Sequence, residues 1–128
     1  MKMTEKAISG CMKLKSYSAM EFLNRVELKG MVGSVRIEEV GETRAARFSM
    51  ATNYCYRAKD GAAVVETTWH SVVCFEGKGI CPLEEIKKGE PLHVLGRIRM
   101  RRYVTDSGED RKVLEIVASR VSPLSEDT

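Results

Sequence analysis

An all-β domain, a small Greek-key barrel of five strands, is what this sequence predicts. Three observations lead there. Strand-type runs recur five times between Arg25 and Val121, turn residues separate them, and one short helical segment follows the third run. At 128 residues, 43% apolar and 30% charged, the chain is long enough to bury one core.

The first run, Arg25–Glu39, carries Gly30 and Gly33, which inside a strand mark a bend or bulge. The second spans Thr43–Tyr54, and Lys59-Asp60-Gly61 turns it into the third, Val64–Phe75. In the third, Val65, Thr67, Trp69, Ser71, Val73 and Phe75 share a face, with His70 on the other. Cys81-Pro82-Leu83-Glu84-Glu85-Ile86-Lys87-Lys88-Gly89 then reads as a short helix, with proline near its start, acids before lysines and glycine after its end. The fourth strand, Leu92–Tyr103, contains Gly96, and Asp106-Ser107-Gly108 leads to the fifth, Lys112–Val121. One helix between strands three and four is the order of an OB-fold barrel. Residues 1–23 are expected to be an N-terminal extension in which Ser18-Ala19-Met20-Glu21 matches a capping box, residues 24–122 the barrel, and residues 123–128 a short tail.

The fourth strand carries the strongest functional signal. Its alternation puts Leu92, Val94, Gly96, Ile98 and Met100 on one face, and Arg97, Arg99, Arg101 and Tyr103 on the other with Arg102 flanking. Guanidinium groups ending in an aromatic ring suit a nucleic-acid strand, because charge tracks the phosphates and a ring stacks on a base. A solvated strand face is the alternative. The formal charge of +3 decides nothing by its size. From Arg97 to Lys112, however, six basic residues face only Asp106, Glu109 and Asp110.

Other chemistries find little support. No apolar run approaches the roughly 18–20 residues of a membrane span, and no signal core precedes Cys11. Cys11, Cys55, Cys74 and Cys81 lack paired metal-site spacing and are expected to be free, mostly buried thiols in a cytoplasmic protein. No phosphate loop, metal cluster or nucleophile–base pattern points to an enzyme, so no catalytic residue, metal or cofactor is expected.

Asn24-Arg25-Val26-Glu27-Leu28-Lys29-Gly30, Phe48-Ser49-Met50-Ala51-Thr52-Asn53, Thr68-Trp69-His70-Ser71-Val72-Val73-Cys74-Phe75, Lys88-Gly89 and Gly96–Tyr103 together resemble the bacterial single-stranded DNA-binding proteins over residues 24 to about 120. The resemblance implies an OB-fold that assembles, usually as a homotetramer with a dimer as fallback, and wraps single-stranded DNA over aromatic platforms. It places stacking at Tyr56, Trp69, Phe75 and Tyr103, phosphate contacts at Arg99 and Arg101, and subunit contacts on the first strand (Val26, Leu28) and at His70. Tyr56 and Tyr103 stand where many members carry tryptophan. Ser71 replaces a frequent base, Glu76 interrupts a Phe-Gly-Lys, and Ser34–Ile37 replaces an Asp-Pro-Glu. The family's acidic tip is not matched by Ser122–Thr128, which fits a specialised or mobile-element version. Binding and protection of single strands during replication, repair, recombination or transfer is the expected function, and RNA is also compatible with stacking. An OB-fold adaptor of primosomal type, acting through protein contacts, is the alternative.

Overall fold

The structure is a computed structural model that describes residues 21–124. Five strands, β1 (Val26–Val40), β2 (Thr43–Arg57), β3 (Ala63–Phe75), β4 (Pro91–Val104) and β5 (Asp110–Pro123), close into one barrel in the order β1-β2-β3-β5-β4. Every neighbouring pair is antiparallel except β3 with β5. Strand bounds coincide with the expected ones at Thr43 and Phe75 and shift elsewhere by one to three residues, as frayed ends do.

The inward side chains follow the period of two. Val32, Phe48, Met50, Val72, Cys74, Leu92, Val94, Ile116 and Val121 form the core. Two register shifts bend the sheet into closure, one between Val32 and Val35 around Gly33 and one at Leu95/Gly96. At Gly96 a side chain would run into the Val117 carbonyl, so only glycine lets β4 and β5 approach there.

The segment after β3 departs from the sequence expectation. The helix expected over Cys81–Gly89 shrinks to a single 3-10 turn, Leu83–Glu85, and Ile86 is already extended. Tertiary hydrogen bonds explain the stop: Gly89 N–H donates to the Val32 carbonyl (2.8 Å), and Val32 N–H donates to the Glu90 carbonyl (3.0 Å). Lys87–Glu90 is thus held against the β1 bulge, while Leu83 and Ile86 pack into the core. The capping box beginning at Ser18 lies largely outside the described residues, and the tail expected over 123–128 is described only as far as Leu124.

The apolar face of β4 is buried at Leu92 and Val94 but exposed at Ile98 and Met100. Both exposed residues belong to the part of the β4–β5 hairpin beyond the Val26↔Gly96 pair, where β1 no longer flanks it. Among the described residues Cys74 is buried, Cys81 partly so and Cys55 exposed, which corrects the expectation of mostly buried thiols there, while Cys11 lies outside them. Burial pushes the Cys74 thiol up to about 11.

Candidate nucleic-acid interface

The barrel is closed most thinly between β3 and β5, where only Val72↔Ile116 and Val73↔Val117 pair. Before Val72 the two strands are unpaired, and two open cavities flank that gap. One, about 350 Å³, has Arg36, Arg47, Arg101, Glu115 and three serines in its walls together with Val35, Phe48, Val72 and Val113. The other, about 360 Å³, has Trp69, Ile98, Leu114 and Ile116 among its walls. An arginine-lined hollow of mixed polarity therefore lies beside a more apolar one, and Ser71, Val113 and Glu115 line both.

Trp69 stands at this gap with 61% of its surface exposed. A core tryptophan would be covered; this ring instead rests against the backbone of Gly33. A Cβ at Gly33 would collide with the ring and come within 2.8 Å of Ser49 Oγ. Ser49 in turn accepts from the Ser34 N–H (2.9 Å), which ties the β1 bulge to β2 beneath the ring. The missing side chain at Gly33 and this small hydroxyl contact let Trp69 lie across the strands with its other side open.

The predicted aromatic set is not all on one face. Directly opposed residues of an antiparallel pair project to the same side, so Trp69 lies with its partner Ala51, and Phe75 with Ala45. Tyr56, opposite Val64, has the opposite parity and shares the reverse face with Tyr54, His70 and Met50. The Tyr54 and Tyr56 ring centroids are 5.9 Å apart. Tyr103 is exposed on the β4–β5 hairpin, with the Arg101 guanidinium carbon 5.5 Å from its ring centroid, within cation–π range.

The arginine ladder is organised around a residue that sequence reasoning missed. Glu115, only 3% exposed, accepts hydrogen bonds from Arg47 Nη1 (3.0 Å) and Arg101 Nε (3.1 Å) on Oε1, and from Arg99 Nε (3.1 Å) on Oε2. Burial pushes the carboxyl's pKa up, but the hydrogen bonds from Arg99, Arg101 and Arg47 outweigh it and hold the group below its usual value. Glu38 adds a second carboxylate, bridging Arg36 and Arg47. Four guanidinium groups thus meet two carboxylates, and the cluster keeps a positive surplus at the edge of the arginine-lined hollow. Arg97 is exposed and forms no ion pair among the described residues. Arg102, also exposed, sits opposite Lys112 on the reverse face with Met100.

The structure therefore brings together Trp69, Arg99 and Arg101 near one gap, extends that face to Arg97 and Tyr103, and leaves Tyr56 and Arg102 on reverse faces. Arg47 and Glu115 were not singled out from the sequence, and Gly33 was read there only as a bend or bulge. A charged residue inside the apolar run Val113-Leu114-Glu115-Ile116-Val117 was the available signal, since a buried carboxylate needs a partner. Of the expected subunit-contact residues, Val26 and Leu28 are half-buried against the barrel's own core. His70 is half-buried too; its Nε2 is 2.8 Å from the Thr52 hydroxyl, and burial lowers its pKa.

Comparison with known proteins gives one consistent answer. Residues 23–124 match the model of the single-strand binding protein family. The mitochondrial single-stranded DNA-binding protein of Oryctolagus cuniculus is 31% identical over 115 residues, covering 83% of this chain and 78% of that protein. The single-stranded DNA-binding protein 1 of Xylella fastidiosa (strain 9a5c) is 33% identical over 109 residues, covering 82% and 79%. The Neisseria meningitidis protein (strain MC58) is 31% identical over 105 residues, and the match spans only 60% of its length. Among solved structures, the Plasmodium falciparum SSB complex with ssDNA superposes with a TM-score of 0.69 at 25% identity, covering 82% of this chain and 97% of that one. Barrel order, the exposed tryptophan beside paired arginines and a match over nearly all described residues agree, and the chain belongs to the single-strand binding protein family.

Proposed function

We propose that this protein binds single-stranded DNA without strong sequence preference and shields it during replication, repair, recombination or transfer. The observation that carries the reading is Trp69, largely exposed at the β3–β5 gap beside the arginine cluster of Glu115. Every base has a π-face, so a ring platform accepts any sequence, while guanidinium groups track the phosphates. The guanidinium groups at the first hollow suit phosphate oxygens, and the apolar wall beside Trp69 suits a base turned out of the backbone. Trp69 is the chain's one tryptophan, so titration with oligo-dT at two salt concentrations reads the site directly. Quenching that weakens with salt is expected, and a flat signal would overturn the reading.

The ladder makes a separate prediction. Replacing Arg97, Arg99 and Arg101 together by alanine should weaken binding alike on all sequences and flatten the logarithmic salt dependence by about 0.7 per lost phosphate contact. An unchanged slope would make these arginines a structural cluster only.

Assembly belongs to the same reading. β1 pairs with β2 only from Met31 onward, although β2 still lies against Gly30 at Ala51 and Thr52, so among the described residues Val26–Lys29 pair only with β4 and keep a free ladder edge. An open edge is a template for another chain. A homotetramer, with a dimer as fallback, is the expected state, in which β1 and the region of His70 meet a second copy. Light scattering at micromolar concentration that returns a monomer would rule out both. The free thiols Cys55, Cys74 and Cys81 support a reducing, cytoplasmic setting.

A further inference from the structure

Past the start of β1 the β4–β5 hairpin continues as a ribbon two strands wide, and its two faces carry different chemistry. One holds the ladder, where Glu115 engages Arg99 and Arg101. On the other, the opposed pairs Ile98↔Ile116, Met100↔Leu114 and Arg102↔Lys112 follow one another outward from the barrel. Ile98, Met100 and Leu114 are exposed, the last two by more than half, and form one apolar shelf. Apolar residues scattered singly over a surface are ordinary, but a contiguous set rimmed by polar groups marks a binding surface.

Arg102 and Lys112 close the shelf at its outer end. Both are exposed, and neither forms an ion pair among the described residues. Asp110, opposite Val104, is the only acid among the paired residues of that face of the hairpin. The shelf is also continuous with the Trp69 site. The cavity of about 360 Å³ at the β3–β5 gap takes Trp69 and Glu115 from the ladder's side of the sheet and Ile98, Leu114 and Ile116 from the shelf's side, so it opens onto both faces.

We propose that this shelf is a second nucleotide-binding subsite, in which a base of the bound strand lies flat on Ile98, Met100 and Leu114 while its phosphate meets Arg102 and Lys112. It rests on the single-strand-binding reading above. A base presents an apolar π-face, and the Met100 thioether is favourable against an aromatic ring. Two cations without carboxylate partners suit a phosphate beside that base. A second copy of this chain seated on the same face would instead bring four cations together against one acid from each chain, which like-charge repulsion opposes. With chemistry for a strand on both faces, the hairpin is a finger around which a long strand bends, and Arg102 acquires the role that its position away from the ladder denies it there.

The test places a reporter on the shelf. In a Trp69→Phe background, which keeps a ring at the gap, Met100→Trp supplies the chain's one indole, and oligo-dT of about 30 nucleotides is used because one OB-fold covers roughly 4–16. Binding is followed separately by anisotropy of a labelled oligonucleotide, and quenching of the shelf indole along the same titration curve is expected. In the otherwise unaltered chain, Met100→Ser with Leu114→Ser should weaken binding roughly 10-fold, what hiding about 60 Å² of apolar surface is worth, and leave the salt slope as it was. Arg102→Gln with Lys112→Gln should flatten that slope, so that the parent's advantage shrinks by about 7-fold between about 50 and 200 mM salt. All four side chains are exposed, so melting temperature should hold in both pairs. A shelf indole that stays unquenched while anisotropy reports binding would overturn the subsite and leave the single-strand reading standing. So would a serine pair that binds as the parent does but changes the oligomer size in light scattering, the result expected of a protein contact. If the parent itself shows neither Trp69 quenching nor an anisotropy change, the single-strand reading fails first and the shelf with it.

Discussion

Trp69→Ala should lose roughly 1 to 3 kcal/mol of oligo-dT affinity, about 5- to 150-fold, while its melting temperature barely moves. The geometry separates the two quantities. With 61% of its surface exposed, the ring contributes little buried area to folding, whereas a core tryptophan would cost roughly 3 to 5 kcal/mol of stability. Binding is measured by anisotropy of a labelled oligonucleotide, since the intrinsic fluorophore is gone. A variant that melts much earlier yet binds normally when folded would reverse the assignment. Gly33→Ala is the companion experiment: the new methyl group meets the Trp69 ring and Ser49 Oγ, so it should weaken binding by shifting the platform without removing it. Tyr56→Ala, on the reverse face, should have the smaller effect of the two tyrosine truncations if the strand follows the Trp69 face to Tyr103.

Glu115→Gln should destabilise the barrel and tighten strand binding at the same time. Removing the charge leaves Arg99, Arg101 and Arg47 around a neutral amide whose N–H2 group repels them. Breaking a fully buried pair costs about 3–5 kcal/mol, but these arginines are a quarter to two-fifths exposed, so water takes up part of the loss and about 2–3 kcal/mol is expected. For a domain of this size that is roughly 10–20 °C in melting temperature. The freed charge should steepen the logarithmic salt dependence of binding by about 0.7. The pH dependence follows from the lowered carboxyl pKa. Glu115 contributes its stability fully above the ordinary glutamate value of about 4.3, and that contribution disappears as pH falls through the lower folded value. The stability gap between parent and Glu115→Gln should therefore close in acid, as chemical denaturation over a pH series would reveal. A gap that persists at low pH would mean that the ionised carboxylate is not what holds the arginines.

Local pattern made much of this protein legible. The turn signals at Lys59-Asp60-Gly61 and Asp106-Ser107-Gly108 located the hairpins, because a reversal of chain direction demands residues tolerant of positive φ, as at Gly61 and Gly108. Gly33 and Gly96 announced the irregularities that curve the sheet. Period-two alternation sorted Trp69 and Phe75 onto one face and the core residues Val72 and Cys74 onto the other, since that period is a property of the extended backbone itself.

What lay beyond reach depended on strands distant in sequence. Alternation states that Arg99 and Arg101 share a face but not what that face meets. Glu115 and Arg47 arrive from β5 and β2, and only barrel closure turns three guanidinium groups onto one buried carboxylate. The family resemblance named Tyr56 a stacking position alongside Trp69 but said nothing of facing; the cross-strand register, set by hydrogen bonding along the whole β2–β3 hairpin, puts it on the reverse side. The helix expected at Cys81–Gly89 had favourable ends, yet hydrogen bonds between Val32 and both Gly89 and Glu90 pull the chain out after one turn. Ile98 and Met100 share by their period the face of Leu92 and Val94 but project past the end of β1, where nothing among the described strands covers them. By itself, then, the sequence determined strand positions and facing, which are local consequences of backbone geometry and residue type. The pairing of charges, the parity of Tyr56 and the opening between β3 and β5 were decided by tertiary structure, because each depends on which strands become neighbours and where their pairing stops.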